Sequence, residues 1–362
     1  MESHANSGDP DAPFNHTLLA SLYPEKIAAT RLRLGLVAKS LKDLAIPSKQ
    51  WTFFTDEEVD IWLSGGIARR VALNQLAHKK RDFCSISSNS QLVIIQREIS
   101  PFNTNSYEKK LLKNRIPFIW DLDDALWNAN QGLAAFIRGS SSKYEWMARN
   151  AQEIWSGNET LMTWCKKMGG QNVHLLPTLA QRHHEIVSAQ TEPDLLVWIG
   201  TPATAPFLQS LIDALGDSLR GWRVLVVGGT IHAPPGISVE CRPWTLDAEK
   251  DAVRRGYVGL YPIDENHPMA SGKSGLKCLT YLSHGIPVIA TNTQSNRAIL
   301  STGSGGLLVS NISEWIGALN YLRSSEVRES LSRDGLIQVR SNYSDKQWVR
   351  WMTERIKVNL SS

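Results

Sequence analysis

The residues best suited to chemistry lie between Gly259 and Ile299, where Ala270-Ser-Gly-Lys-Ser-Gly runs into a helical pattern. Glycines in such a loop let backbone N–H groups approach a ligand, and a helix start attracts an anion. Lys273 and Lys277 add positive charge, and Ser274 adds a hydroxyl and a candidate N-cap. Gly272, Lys273, Ser274, Gly275 and Lys277 together predict a diphosphate site. The competing reading is an ordinary loop whose Gly and Ser merely cap a helix.

A second group is Asp121-Leu-Asp-Asp, expected just past a strand, where α/β proteins bind ligands. It can be read as a metal-binding D-x-D. Strand followed by D-x-D also resembles the first motif of haloacid-dehalogenase-like phosphatases, but that reading needs a second acidic pair, and the chain has no other Asp-Asp. The structural alternative is that Asp123 caps the next helix. None of the nine histidines has metal-ligand spacing with a carboxylate, including His183-His184 and His267. G-x-S-x-G is absent, which removes the commonest serine-hydrolase signature.

The elements that must position these groups are short. Gly259-Leu-Tyr-Pro-Ile and Pro287-Val-Ile-Ala-Thr read as strands on either side of the loop. Leu276, Leu279 and Leu282 recur at helical spacing between them, and His284-Gly285 ends that helix. Upstream, strands are expected at 17–23, 49–54, 91–96, 116–120, 153–156, 172–177, 195–200, 222–229 and 238–242. Helices are expected at 28–44, over most of 56–82 with a break at Gly65-Gly66, and at 107–113, 144–151, 159–168, 206–215 and 247–255. Three more follow at 313–322, 327–342 and 345–358, the last with Trp348, Trp351 and Met352 on one side. Strands alternating with helices predict an α/β fold of doubly wound parallel sheets.

Two such series of similar size predict two domains. The expected boundaries are a polar tail over 1–16, a first domain over 17–185, a second over 193–345, and a C-terminal helix over 346–362 that packs back toward the first domain. His183 to Pro193 is polar and unpatterned, as a linker should be.

The 362 residues are 42% hydrophobic and 20% charged, which fits a globular protein rather than a disordered or membrane-spanning one. No basic segment with an apolar core opens the chain, so no secretory signal is expected. Cys84, Cys165, Cys241 and Cys278 are scattered without a C-x-x-C pair, which suits reduced thiols in the cytoplasm. Residues 17–190 carry 22 Lys and Arg against 16 Asp and Glu, whereas 191–362 carry 17 against 16. The basic excess includes Arg69, Arg70, Lys79, Lys80 and Arg81, then Lys109, Lys110, Lys113 and Arg115. It suits peripheral contact with an anionic membrane, a phosphorylated acceptor, or plain solvation. No nucleic-acid motif accompanies it.

Gly272-Lys-Ser-Gly-Leu-Lys-Cys-Leu-Thr-Tyr followed by Gly285-Ile-Pro-Val-Ile-Ala-Thr resembles the donor-binding signature of family 4 glycosyltransferases. Ile119-Trp-Asp-Leu-Asp-Asp-Ala-Leu-Trp is similar to the D-L-D-D-A-L-[FW] segment of one branch of that family. Gln96-Arg-Glu-Ile-Ser-Pro, Ser156-Gly-Asn-Glu-Thr-Leu, Leu176-Pro-Thr and Trp198-Ile-Gly-Thr-Pro-Ala-Thr resemble four further motifs of that branch in the same order. The resemblance covers about residues 17–345 and implies the GT-B fold, two Rossmann-like domains facing a cleft.

The implied activity is transfer of a hexose-like sugar from a nucleotide-sugar to a glycan, lipid-linked or small-molecule acceptor, with retention, in polysaccharide biosynthesis on the cytoplasmic side of a membrane. No cofactor or metal is implied. The donor would lie between the loop at Gly200 and Thr201 and the loop from Gly272 to Lys277, with Thr280 beyond. Asp123, with Asp124 beside it, would orient the donor sugar or acceptor hydroxyl, and Arg97 and Glu98 would line the acceptor side. The match also departs from the family. Gly272 and Thr280 stand where many members carry two glutamates, Thr201 where many carry arginine, and Asp123 where others carry histidine. Those departures keep two rivals open: a non-catalytic sugar- or partner-binding GT-B subunit, and a sugar-nucleotide epimerase or hydrolase.

Overall fold

A computed structural model describes residues 16–64, 76–102, 104–128, 141–180, 191–264, 270–300 and 305–361. Gly65-Gly66, Arg69, Arg70, His183-His184, His267, the first fifteen residues of the expected tail and most of the expected linker lie outside the described residues. The chain divides into two compact units, one of Met1–Leu176 with Val349–Ser362 and one of Pro177–Trp348.

The first unit is built on β1 (His16–Ser21), β2 (Ser48–Thr52), β3 (Ser90–Gln96), β4 (Phe118–Leu122), β5 (Glu153–Ser156) and β6 (Val173–Leu175). Its helices are α1 (Ala28–Asp43), α2 (Asp56–Ser64), α3 (Leu76–Ser87), α4 (Ser106–Lys113), α5 (Ser141–Asn150) and α6 (Glu159–Lys167). The sheet order is β2-β1-β3-β4-β5-β6, and every neighbouring pair is parallel. The central strands are apolar on both faces, with Leu18, Leu19, Ala20, Val93, Ile94 and Ile95 fully buried, as a sheet covered by helices on both sides demands. His16, expected to end the tail, is instead the buried first residue of β1 and bonds Ile86 O at 3.1 Å.

The second unit is built on β7 (Leu195–Ile199), β8 (Arg223–Val227), β9 (Ser238–Arg242), β10 (Val258–Tyr261), β11 (Val288–Thr291) and β12 (Gly306–Val309). Between them run α7 (Ala205–Leu215), α8 (Leu246–Arg255), α9 (Leu276–Ser283) and α10 (Gln294–Ile299), followed by α11 (Ile312–Tyr321) and α12 (Ser325–Asn342). The order β12-β11-β10-β7-β8-β9 is again all parallel, and is the Rossmann order read from the other edge. β12 and α10 were not anticipated. β12 is a partly exposed edge strand and α10 has six residues, so neither carries a long apolar period.

The terminal helix α13 (Asp345–Ser361) begins in the second unit, and its residues from Val349 group with the first. There Trp351 packs edge-on against Trp155, and Arg355 and Asn359 both bond the buried carboxylate of Glu153.

Candidate functional site

In an open α/β sheet, ligands bind beyond the C-terminal ends of the strands where the strand order reverses. In the second unit that point lies between β7 and β10. Tyr281 of α9 bridges it: its hydroxyl accepts from Ile199 N at 2.9 Å and donates to Leu260 O at 3.4 Å. This ties the body of α9 to the strands on both sides of the reversal. Gly275, not Ser274, is the N-cap, with φ 66° and ψ 16° and no side-chain cap, and the helix begins at Leu276. Glycine suits this left-handed position, and a Cβ there would lie 2.2 Å from Ile299 Cδ1, so that side chain would have to shift.

Lys277 projects from the first turn. Its ammonium lies 3.4 Å from Thr204 Oγ1, 4.6 Å from the centre of the Trp198 ring and 5.4 Å from that of Tyr261. The loop of Gly200 and Thr201 is thereby joined to the loop of Lys273, Ser274 and Gly275. Thr204 also bonds Thr201, whose N–H donates to Thr204 Oγ1 at 3.2 Å. Burial, and then the second positive charge of Lys273, push the Lys277 pKa down to about 7. Thr280 turns its hydroxyl back to Leu276 O at 3.0 Å, a helix-internal bond.

In the first unit, strand order reverses between β1 and β3, and Gln96 and Arg97 stand at the end of β3. Arg97 takes φ 61°, its N–H donates to Asp121 O at 2.8 Å, and its carbonyl accepts from Trp120 Nε1 at 2.7 Å. Its guanidinium grips Asp123 through Nε at 2.6 Å and Nη2 at 2.9 Å, while Gln96 donates to the same carboxylate at 3.1 Å. Burial would raise the Asp123 pKa, but the Arg97 charge and hydrogen bonds, with Arg33 behind them, hold it below the usual range. Asp124 is also buried, and lies 3.5 Å from Arg97.

Three expectations change here. β4 runs on through Leu122, so Asp121 lies inside the strand, where it forms a buried bidentate pair with Arg33 of α1. Asp121 and Asp123 thus each have an arginine where a D-x-D metal site would have its cation. Asp123 caps no helix, and the carboxylate bonded to the next backbone N–H is Asp124, to Ala125 at 3.2 Å. Glu98 lies next to Arg97 in sequence but serves another cluster. It accepts from Lys143 Nζ at 2.7 Å and Tyr144 Oη at 3.2 Å. Among the described residues, no group of three or more His, Cys, Asp or Glu is placed to hold a metal ion.

No family model matches the sequence, and no curated protein does. Solved structures do match. Sucrose-phosphate synthase of Thermosynechococcus elongatus is similar at TM-score 0.67 and 11% identity, over 96% of this chain and 99% of that one. The chain has the GT-B fold. Anabaena HepE in complex with UDP is similar at TM-score 0.64 and 11% identity, over 95% of this chain and 100% of that one. A Rickettsia africae glycosyltransferase is similar at TM-score 0.65 and 12% identity, over 96% and 99%. Other HepE structures hold UDP with glucose, or UDP-glucose.

The GT-B fold places Trp198, Thr204 and Tyr261 beside Lys277, and Gln96 beside Asp123, none of which the sequence had marked as site residues. Trp198 carried one signal, its position immediately before the Ile199-Gly200 turn. Thr204 carried another, closing the Trp198-Ile-Gly-Thr-Pro-Ala-Thr motif, whereas Tyr261 carried none beyond its place in the strand before the loop. Among the described residues no helix is long and apolar enough to cross a membrane.

Proposed function

We propose that the protein is a glycosyltransferase that moves a hexose-like sugar from a nucleotide-sugar to an acceptor hydroxyl with retention. The observation that carries this is the Lys277 ammonium at a left-handed Gly275 helix start, over the strand-order reversal of a Rossmann sheet within a GT-B fold. The second unit would hold the donor diphosphate. Lys277, Lys273 and the α9 N–H groups would stabilise negative charge as the diphosphate leaves. No metal takes part in this reading, because the lysines supply the positive charge. The first unit would take the acceptor, a glycan or lipid-linked glycoside, with the Arg97–Asp123 pair at the end of its β3. Thr280 donates its hydroxyl proton to Leu276 O, which leaves its oxygen free to accept from a ribose hydroxyl. The basic excess of the first half would favour an acceptor at an anionic membrane face.

A second reading has one observation in its favour. Both oxygens of Asp123 are held by Arg97 and Gln96, as suits a binding protein that performs no transfer. One assay separates the two. Purified protein is screened against a panel of sugar nucleotides for nucleoside-diphosphate release, with and without glycoside acceptors. Acceptor-dependent release supports transfer. Binding without release supports the second reading, and release without acceptor supports a hydrolase.

A further inference from the structure

Two other buried or half-buried lysines meet a carboxylate: Lys143 meets Glu98 at 2.7 Å and Lys79 meets Glu58 at 2.7 Å. Lys277 forms no ion pair among the described residues. Its ammonium faces two aromatic rings instead, Trp198 of β7 at 4.6 Å and Tyr261 of β10 at 5.4 Å, the two strands that flank the reversal. Ring faces attract a cation through their quadrupole without cancelling its charge. The seat for the indole is built into the backbone. A Cβ on Gly200 would come 2.1 Å from the Trp198 ring, and one on Gly229 would come 2.9 Å from it. Trp198 is itself fully buried, so its ring is fixed by packing.

We propose that Trp198 and Tyr261 are positioning residues, holding the Lys277 ammonium on their ring faces in place of a carboxylate so that its charge is kept for an anionic ligand. The proposal rests on the donor reading of this loop and goes beyond it in naming how the cation is presented. A carboxylate partner would compete with a diphosphate for Lys277, and two neutral rings do not. The arrangement also links binding to protons. Two groups act on the Lys277 charge: Lys273 in the same loop, and Cys278, whose thiol burial keeps protonated. Trp198, Tyr261 and Thr204, from the other elements around it, bring no charge. With its pKa lowered to about 7, Lys277 sheds its charge as pH rises through the neutral range. An anionic ligand favours the charged form, so binding above about pH 7 takes up a proton and weakens as pH rises.

The test uses the full chain. Its lysines are reductively 13C-methylated, and the Lys277 signal is assigned by its loss in Lys277→Arg. We expect a ring-current shift upfield and a titration midpoint near 7. The shift should be lost in Trp198→Leu and partly kept in Trp198→Phe. Tyr261→Leu serves if the tryptophan variants do not fold. Calorimetry with UDP, other nucleoside diphosphates and inorganic pyrophosphate, in buffers of different ionisation heat, measures proton uptake. The terminal phosphate of a free nucleotide titrates near pH 6, about a unit lower, and Lys277→Ala controls for it. We expect Trp198→Leu to weaken binding about tenfold. Lys277→Ala should weaken it about 10- to 100-fold and abolish the proton uptake. An unshifted Lys277 signal, or diphosphate binding indifferent to Trp198→Leu, overturns the cage and leaves the donor reading standing. A shifted signal with no binding of pyrophosphate or any nucleoside diphosphate overturns the donor reading and the proposal with it.

Discussion

Arg97 and Asp123 form a two-pronged pair, with Nε 2.6 Å from Oδ1 and Nη2 2.9 Å from Oδ2, at the end of β3. Only 5% of the Asp123 side chain is exposed, against 20% of the arginine, so both charges are largely buried and the carboxylate anchors the guanidinium. Gln96 completes the anchor, and the left-handed backbone at Arg97 aims it.

Asp123→Asn should therefore cost stability as well as turnover. The amide keeps the shape but loses the charge that compensates a buried arginine, which costs about 2–4 kcal/mol, the Asp124 carboxylate offsetting part of the loss. Melting temperature should fall by several degrees, and kcat by about 10²-fold if Arg97 touches the transition state. Differential scanning calorimetry beside a turnover assay reads both. Unchanged melting with lost turnover would move the catalytic role back to the carboxylate itself.

Gly275→Ala tests the helix start. The alanine must hold φ near 66° and its methyl must displace Ile299, whose Cδ1 lies 2.2 Å away. We expect a loss of about 2–4 kcal/mol in urea unfolding, from backbone strain and overpacking together. Diphosphate affinity should fall at the same time, because α9 must shift. A fully stable variant would mean that the loop rearranges freely and that its geometry is not fixed by packing.

The anchor of α13 predicts a pH dependence. Glu153 is buried and accepts from Arg355 at 2.5 and 2.9 Å, Asn359 at 2.7 Å and Trp155 at 2.7 Å. Burial would raise its pKa, but these bonds outweigh burial and hold it below the usual value. A depressed folded pKa contributes stability above the unfolded pKa of about 4.3, and that contribution is lost as pH falls through the folded value. Glu153→Gln should destabilise by about 2–4 kcal/mol at pH 7, with the gap to the native protein closing on acidification below about pH 4. Urea titrations of both proteins across that range are the measurement. A gap that does not change with pH would mean the pairing is not electrostatic.

If the donor reading holds, transfer should persist in excess chelator, since in that reading Lys273 and Lys277 supply the positive charge that neutralises the diphosphate. Turnover abolished by EDTA and restored by magnesium or manganese would sink that assignment.

The sequence by itself determined most of the strands and helices, all but β12 and α10, because their apolar periods are local. The runs at Val93–Ile95, Leu195–Ile199 and Val288–Thr291 are continuous, largely apolar and contain β-branched residues, and buried parallel strands are the structure that satisfies them. Turn residues were legible for the same reason. Gly285, at φ 70°, ends α9 where the sequence said it would. The glycine- and lysine-rich loop before α9 was legible too, since its residues are contiguous.

Partners could not be read from the sequence, because they are set by register between distant strands. Arg33 meets Asp121 across 88 positions, Lys277 reaches Thr204 across 73, and Asn359 reaches Glu153 across 206. Adjacent charged residues, such as Arg97-Glu98 and Asp123-Asp124, look alike in sequence. Only the fold sends Glu98 to Lys143, Arg97 to Asp123, and Asp121 into the strand against Arg33. The physical reason is that a charge's role depends on the sign and burial of what faces it, and what faces it is decided by strand order.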